Sequence, residues 1–169
     1  EPVPLTMPLP ERRAVVHLID RSLIEFGGNE GEKLEITPCD EALWDSLAPY
    51  RETLLLAAAE GDAELEDLVL AGEHPEPERI WKGLRNATLA GVIQPCFGGA
   101  ALRNFGVQPV LDAIVRLLPA PAERPPSRAH LADGTNAEIA MDAKGALAAL
   151  AFKVQMWDTR RHVFARIYR

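Results

Sequence analysis

Cysteine is scarce in this chain, and its two copies, Cys39 and Cys96, stand far apart without a CxxC or Cys/His spacing. That excludes a zinc ribbon and a disulfide scaffold, and leaves both thiols expected as buried and reduced. Histidine is as thin: His17, His74, His130 and His162 occur singly and form no ligand pattern, so none is assigned a catalytic role. No apolar run approaches the roughly 20 residues that span a bilayer, so no membrane anchor is expected and a cytoplasmic location is. The start at Glu1, with Pro2 and Pro4 close behind, has neither the basic residues nor the apolar stretch of a secretory signal. The expectation is a chain cut from something longer. No grouping of nucleophile, base and orienting residue supports a small enzyme of another class.

What the chain does have is apolar content. It is 47% hydrophobic and 25% charged over 169 residues, enough for one ordinary domain, or one domain and part of another, burying roughly 70% of its unfolded surface. The net charge of −7 is unevenly spread. Residues 1 to 143 hold 12 Lys and Arg against 24 Asp and Glu, whereas residues 144 to 169 hold six (Lys144, Lys153, Arg160, Arg161, Arg166 and Arg169) against Asp158 alone. Phosphate is repelled by the first part and attracted by the second, which points to two modules with different neighbours.

Along the chain, Val3, Leu5, Met7 and Leu9 alternate with Pro and Thr. Val15–Ile19 and Ser22–Phe26 read as strands before a turn at Gly27, Gly28 and Asn29, and Lys33–Thr37 reads as another. The stretch from Gly27 to Lys33 superficially resembles a phosphate loop. Its Glu32 opposes phosphate charge and no Ser or Thr follows the lysine, so a hairpin turn is expected. Asp40 caps a predicted helix running through Ala58, kinked or restarted at Pro49, and Asp62 caps a shorter one ending at Gly72. Pro75 and Pro77 are placed in the first turn of a third, carrying Ile80, Trp81, Leu84 and Leu89 and stopping at Gly91. Trp44 and Trp81 read as packing residues. Eight acids and no base fall between Glu60 and Glu78, as a solvated helical face or a docking face for a basic partner.

Val92–Phe97 is a short apolar run leading through Gly98, Gly99, Ala100 and Ala101 to a helix with Val107, Val110, Leu111, Ile114 and Leu118. Strand, small-residue loop and helix make an α/β unit, and ligands in such folds sit at the carboxyl ends of strands. Small side chains there let backbone amides approach a flat ring. Pro119–Gly145 reads as a linker, and Leu147–Val154 with Val163–Tyr168 as two strands joined near Asp158 and Thr159. Two strands are marginal alone, so unpaired ladder groups are expected around Phe152 and Phe164.

The segment QPCFGGAALRNFGVQPVLDAIVRLLPAP, Gln94 to Pro121, resembles the end of the GTPase domain of elongation factor G, where a strand, a Gly-Ser-Ala loop and a GVQPLLDA-like helix follow in this order. ERIWKGLRNATLAG resembles the family helix before that strand, and GALAALAFKVQ with HVFARIY resembles the first strands of the following β-barrel. PVPLTMPLP and AVVHLID are similar to an insert peculiar to the family. The resemblance implies an α/β fold, in which residues 1–91 are the insert subdomain (α+β) and residues 92–119 close a P-loop-type GTPase domain. Residues 120–144 are then a linker, and residues 145–169 open a β-barrel domain.

The resemblance further implies that Gly99, Ala100, Ala101 and Leu102 form the last guanine-contacting motif of an intact parent that binds GTP and GDP, with the family's serine replaced by Ala100. Losing that hydroxyl removes a hydrogen bond worth about 0.5–1.5 kcal/mol but leaves the amides. The family's phosphate loop, switch threonine, DxxG switch and NKxD motif precede this point, and none is expected to occur in the chain. It is therefore expected to be inactive alone, with no cofactor of its own, and to act within a ribosomal GTPase promoting translocation or a ribosomal protection paralogue. In a second reading the chain is a non-catalytic module whose insert docks to the ribosomal stalk protein through Glu41, Asp45 and Glu52.

Overall fold

The computed structural model describes residues 1–169, which divide into two compact units, Glu1–Leu118 and Pro119–Arg169. The first is built on a five-stranded sheet. Its strands are β1 (Pro2–Leu9), β2 (Ala14–His17), β3 (Ser22–Gly27), β4 (Lys33–Pro38) and β5 (Gln94–Phe97), in spatial order β4-β3-β2-β1-β5. Strands β1 to β4 form an antiparallel meander, while β5 returns beside β1 in parallel. That return needs a long crossover, supplied by α1 (Glu41–Ser46), α2 (Ala48–Ala59), α3 (Ala63–Leu70) and α4 (Pro77–Leu89). Helix α5 (Val107–Leu117) follows β5 and packs on α4.

The strand alternation sorts side chains between two cores. Val3, Leu5, Ala14, Val16 and Leu23 join Leu54, Leu65, Ile80, Trp81 and Leu84 in the main one, to which α5 adds Ala113 and Leu117. Val15, Ile24 and Phe26 point to the opposite face and make a small second cluster covered by Phe105. Strand β2 is buried at all four positions because both its faces are covered.

The capping expectations hold for two helices. The Asp40 carboxylate accepts from the Leu43 N–H at 2.9 Å, and that of Asp62 accepts from the N–H groups of Glu64 and Leu65. The helix after Asp40 restarts at Leu47, so that Pro49, which lacks an N–H, sits in the first turn of α2. Pro77 opens α4, but Pro75 lies before the helix, and Val92 belongs to the turn that closes α4, its N–H donating to the Ala87 carbonyl. Trp81 is buried as expected. Of the thiols Cys39 is buried, whereas Cys96 is exposed, on the face of β5 opposite to Phe97, which packs on the main core.

The second unit contains two hairpins, β6 (Ser127–His130) with β7 (Asn136–Ile139), and β8 (Ala149–Trp157) with β9 (Arg160–Ile167). The first corrects the linker expected over 120–144. Its strands carry few apolar residues, so periodicity misses them, but their turn has a signature. Gly134 takes a φ of 84°, and the Asp133 carboxylate accepts from both the N–H and hydroxyl of Thr135. In the second hairpin Asp158 and Thr159 occupy a two-residue turn with φ of 45° and 66°, and the register shifts at Phe152. Phe164 is paired with Lys153.

Candidate functional site

The polypeptide leaving β5 turns sharply, and four features hold the turn. The Gly98 N–H donates to the buried Thr6 hydroxyl at 3.1 Å. A Cβ on Gly98 would stand 2.6 Å from the Pro8 ring, and one on Gly99 2.6 Å from the Phe105 carbonyl, so this close passage of backbone requires glycine. Ala100 and Phe105 exchange backbone hydrogen bonds of 2.9 and 3.2 Å across the loop. Between them a short 3-10 turn, Ala101–Arg103, ends on Asn104 in the left-handed conformation with φ of 57°.

This geometry sorts the loop amides. The Ala100 N–H is spent on the Phe105 carbonyl, while the N–H groups of Ala101 and Leu102 open the 3-10 turn and have no partner within the chain. Two adjacent unpaired donors beyond the carboxyl end of a strand suit an acceptor such as a ring carbonyl. Of the four residues from Gly99 to Leu102 that the resemblance implies, Ala100 has its amide used internally by the tight turn. Beside them lies an apolar cleft of about 270 Å³ bounded by Phe97, Gly98, Gly99, Ala101, Phe105 and Val110. The side chain of Leu102 is fully exposed, at 102%.

Thr6, Gly31, Asn104 and Phe105 are missed by the sequence reading, although each supports this loop. The signal for Thr6 is a hydroxyl among apolar alternating residues of β1. Gly31 meets Asn104 and Phe105 only through the fold. One string, Asp142-Ala143-Lys144-Gly145, does spell DxxG. It lies after the loop in sequence, and the Asp142 carboxylate there accepts from the Lys144 N–H while the Gly145 N–H donates to the Asp142 carbonyl. It is a local turn in the second unit.

The acidic positions are divided. Asp45 and Glu52 line one groove of about 780 Å³ with Trp44, Leu56, Leu70 and Arg51, between α2 and α3. Glu41 is outside it and pairs with Arg21 at 2.8 Å. Arg21 and Arg51 both sit over the Trp44 ring, 5.3 and 5.0 Å from its centroid. Within the acidic run, Asp62 is half-buried with its side chain 5% exposed, and it is bound to Lys82 and Arg79, which hold its carboxyl down at about 2. Burial pushes the Cys39 thiol up and the His17 imidazole down from their ordinary values, with the Asp20 carboxylate partly opposing the latter.

No family model matches the chain. Elongation factor G 1 of Geobacter sulfurreducens is 38% identical over 173 aligned positions, covering 99% of this chain and 25% of that protein. Elongation factor G of Fervidobacterium nodosum is 32% identical over 157 positions, covering 91% of the chain and 23% of that protein. A crystal structure of a Thermus thermophilus protein shares the fold with a TM-score of 0.71 at 22% identity, covering 99% of the chain and 23% of its own. The chain is therefore related by descent to translation elongation factors. Among them it is of the elongation factor G type, and it spans about a quarter of the length of the curated relatives it matches.

Proposed function

We propose that this chain supplies the guanine-side wall and the insert of a cytoplasmic, ribosome-associated GTPase that promotes translocation, with Gly99, Ala100, Ala101 and Leu102 as the guanine loop. The observation that carries the reading is the pair of unpartnered N–H groups on Ala101 and Leu102, held by a glycine-dependent turn at the end of β5. Such donors recognise the guanine carbonyl and reject adenine, which presents an amino group there. In this role they are pre-positioned, since the turn is fixed before ligand arrives.

Phosphate charge and a magnesium ion would be handled by the parent's other residues, with GTP or GDP as the parent's ligand. The chain alone then binds GDP too weakly to measure, because one base contact worth about 0.5–1.5 kcal/mol cannot offset the entropy of association. Calorimetric titration of the 169-residue chain with GDP tests this half of the reading; a saturable isotherm would overturn it. The other half is tested by putting the chain in place of the matching segment of the Geobacter elongation factor G 1. That chimera retains GDP binding within about tenfold of the natural factor, and complete loss would count against the guanine-wall role.

The groove of Asp45 and Glu52 favours a second reading, in which the insert docks a basic partner such as the ribosomal stalk protein, with the exposed Leu56 and Leu70 giving apolar contact.

A further inference from the structure

We propose that the tip of the β3–β4 hairpin is a positioning device for the guanine loop. The inference rests on the guanine-wall reading for its consequence, but its physical content stands on contacts of its own. The Phe26 ring is buried in the second cluster and stacks on Phe105, with centroids 5.7 Å apart and planes inclined by 23°. Phe105 is also the residue whose carbonyl and N–H close the loop around Ala100. At the hairpin tip the backbone of Gly31 passes so near that an added Cβ would lie 2.7 Å from the Arg103 carbonyl oxygen and 2.7 Å from the Phe105 ring. The Asn104 side-chain amide reaches the Gly31 carbonyl, at 3.5 Å.

These contacts fall on the residues that end the 3-10 turn, Arg103, Asn104 and Phe105, and on none of the residues that would touch the base. The hairpin therefore acts through them. If its tip retreats, the left-handed Asn104 and the Ala100–Phe105 bridge lose their backing, and the Ala101 and Leu102 donors lose their fixed direction. Sequence distance hides this arrangement, since Gly31 and Asn104 are 73 positions apart. In the proposed parent, the device makes guanine affinity sensitive to anything that moves the insert hairpin.

Amide hydrogen exchange on the 169-residue chain tests the brace without nucleotide, using two glycines of the same hairpin. Gly31→Ala and Gly28→Ala both place a side chain at positive φ (67° and 84°), but the Cβ on Gly31 meets the Arg103 carbonyl and Phe105 ring of the loop, whereas that on Gly28 meets the Glu32 carboxylate of the hairpin itself. Exchange at the Ala100 and Phe105 amides is expected to accelerate at least about tenfold in Gly31→Ala and to stay near the natural rate in Gly28→Ala, with α4 amides unchanged in both. Phe26→Leu, which keeps the cluster apolar but removes the stacked ring, is expected to act in the same direction as Gly31→Ala and serves where that variant folds poorly. Equal exchange in Gly31→Ala and Gly28→Ala, or natural rates in both Gly31→Ala and Phe26→Leu, overturns the brace. In the Geobacter chimera, Gly31→Ala is then expected to lower the preference for GDP over ADP several-fold, whereas Gly28→Ala leaves it. A chimera that binds no GDP at all defeats the guanine-wall reading and leaves the exchange result standing.

Discussion

Gly83 of α4 passes so close to Ala58 of α2 that a Cβ on the glycine would stand 2.3 Å from the Ala58 carbonyl oxygen. The reciprocal closeness occurs one turn away, where a Cβ on Gly61 would stand 2.1 Å from the Gly83 carbonyl oxygen. Two helices touching backbone to backbone in this way bring the crossover down onto the sheet, and so fix where β5 begins.

A glycine in the middle of a helix normally costs about 1 kcal/mol relative to alanine. At Gly83 the clash outweighs that gain, because overpacking against rigid backbone costs about 1–3 kcal/mol. Gly83→Ala is therefore expected to lower the thermal midpoint of the first unit, read by circular dichroism. A raised midpoint would show that α2 and α4 separate at no cost.

Asp62, the cap of α3 bound to Lys82 and Arg79 of α4, sets the acid response of that contact. Its carboxyl is lowered from 3.8 to about 2 in the folded chain, by Lys82 first and Arg79 after it. A depressed carboxyl stabilises the fold fully above the unfolded value and loses that contribution as pH falls toward the folded one. Stability is expected to decline between about pH 4 and pH 2, and Asp62→Asn, which keeps a capping side chain, is expected to flatten that decline. Parallel denaturation curves for the two proteins across this window would contradict the assignment.

His17 gives a second, separate window. Its ring is buried against Trp81, 5.7 Å between centroids, and burial depresses its protonation. The unfolded chain therefore binds a proton more readily, and stability is expected to fall as pH drops below about 6.5, the unfolded value. Replacing His17 by Gln is expected to remove this sensitivity between about pH 7 and pH 5; retention of the slope would place its origin elsewhere.

Most of the first unit is legible in the sequence because its elements carry strong local signals. Asp40 and Asp62 announce helix starts, and β3 and β4 are separated by a glycine-rich turn at Gly27, Gly28 and Gly31. The β6–β7 hairpin is not legible, because Ser127–His130 and Asn136–Ile139 place few apolar side chains on either face, and only the Asp133-Gly134 pair betrays it. The loop itself is visible as small residues after a strand. Which of its amides are spent is not, since that depends on the Phe105 carbonyl returning to Ala100.

The groove beside Asp45 and Glu52 offers a docking test. Charge reversal at Asp45 and Glu52, which line it, is expected to weaken capture of the stalk protein's C-terminal domain, more at low salt than at high. Reversal at Glu41, outside the groove and paired with Arg21, is expected to have less effect. Unchanged capture in all three variants would reduce these side chains to a solvated face.

The Ala101 amide is where the account is most exposed. Position 101 opens a 3-10 turn, the place where a helix tolerates proline because the N–H there has no partner inside the turn. Ala101→Pro in the Geobacter chimera, followed by fluorescence titration with a labelled GDP, is expected to weaken binding about three- to tenfold, the equivalent of one hydrogen bond of about 0.5–1.5 kcal/mol. GDP affinity unchanged in that variant, with the fold intact, would contradict the assignment of this loop to the guanine base.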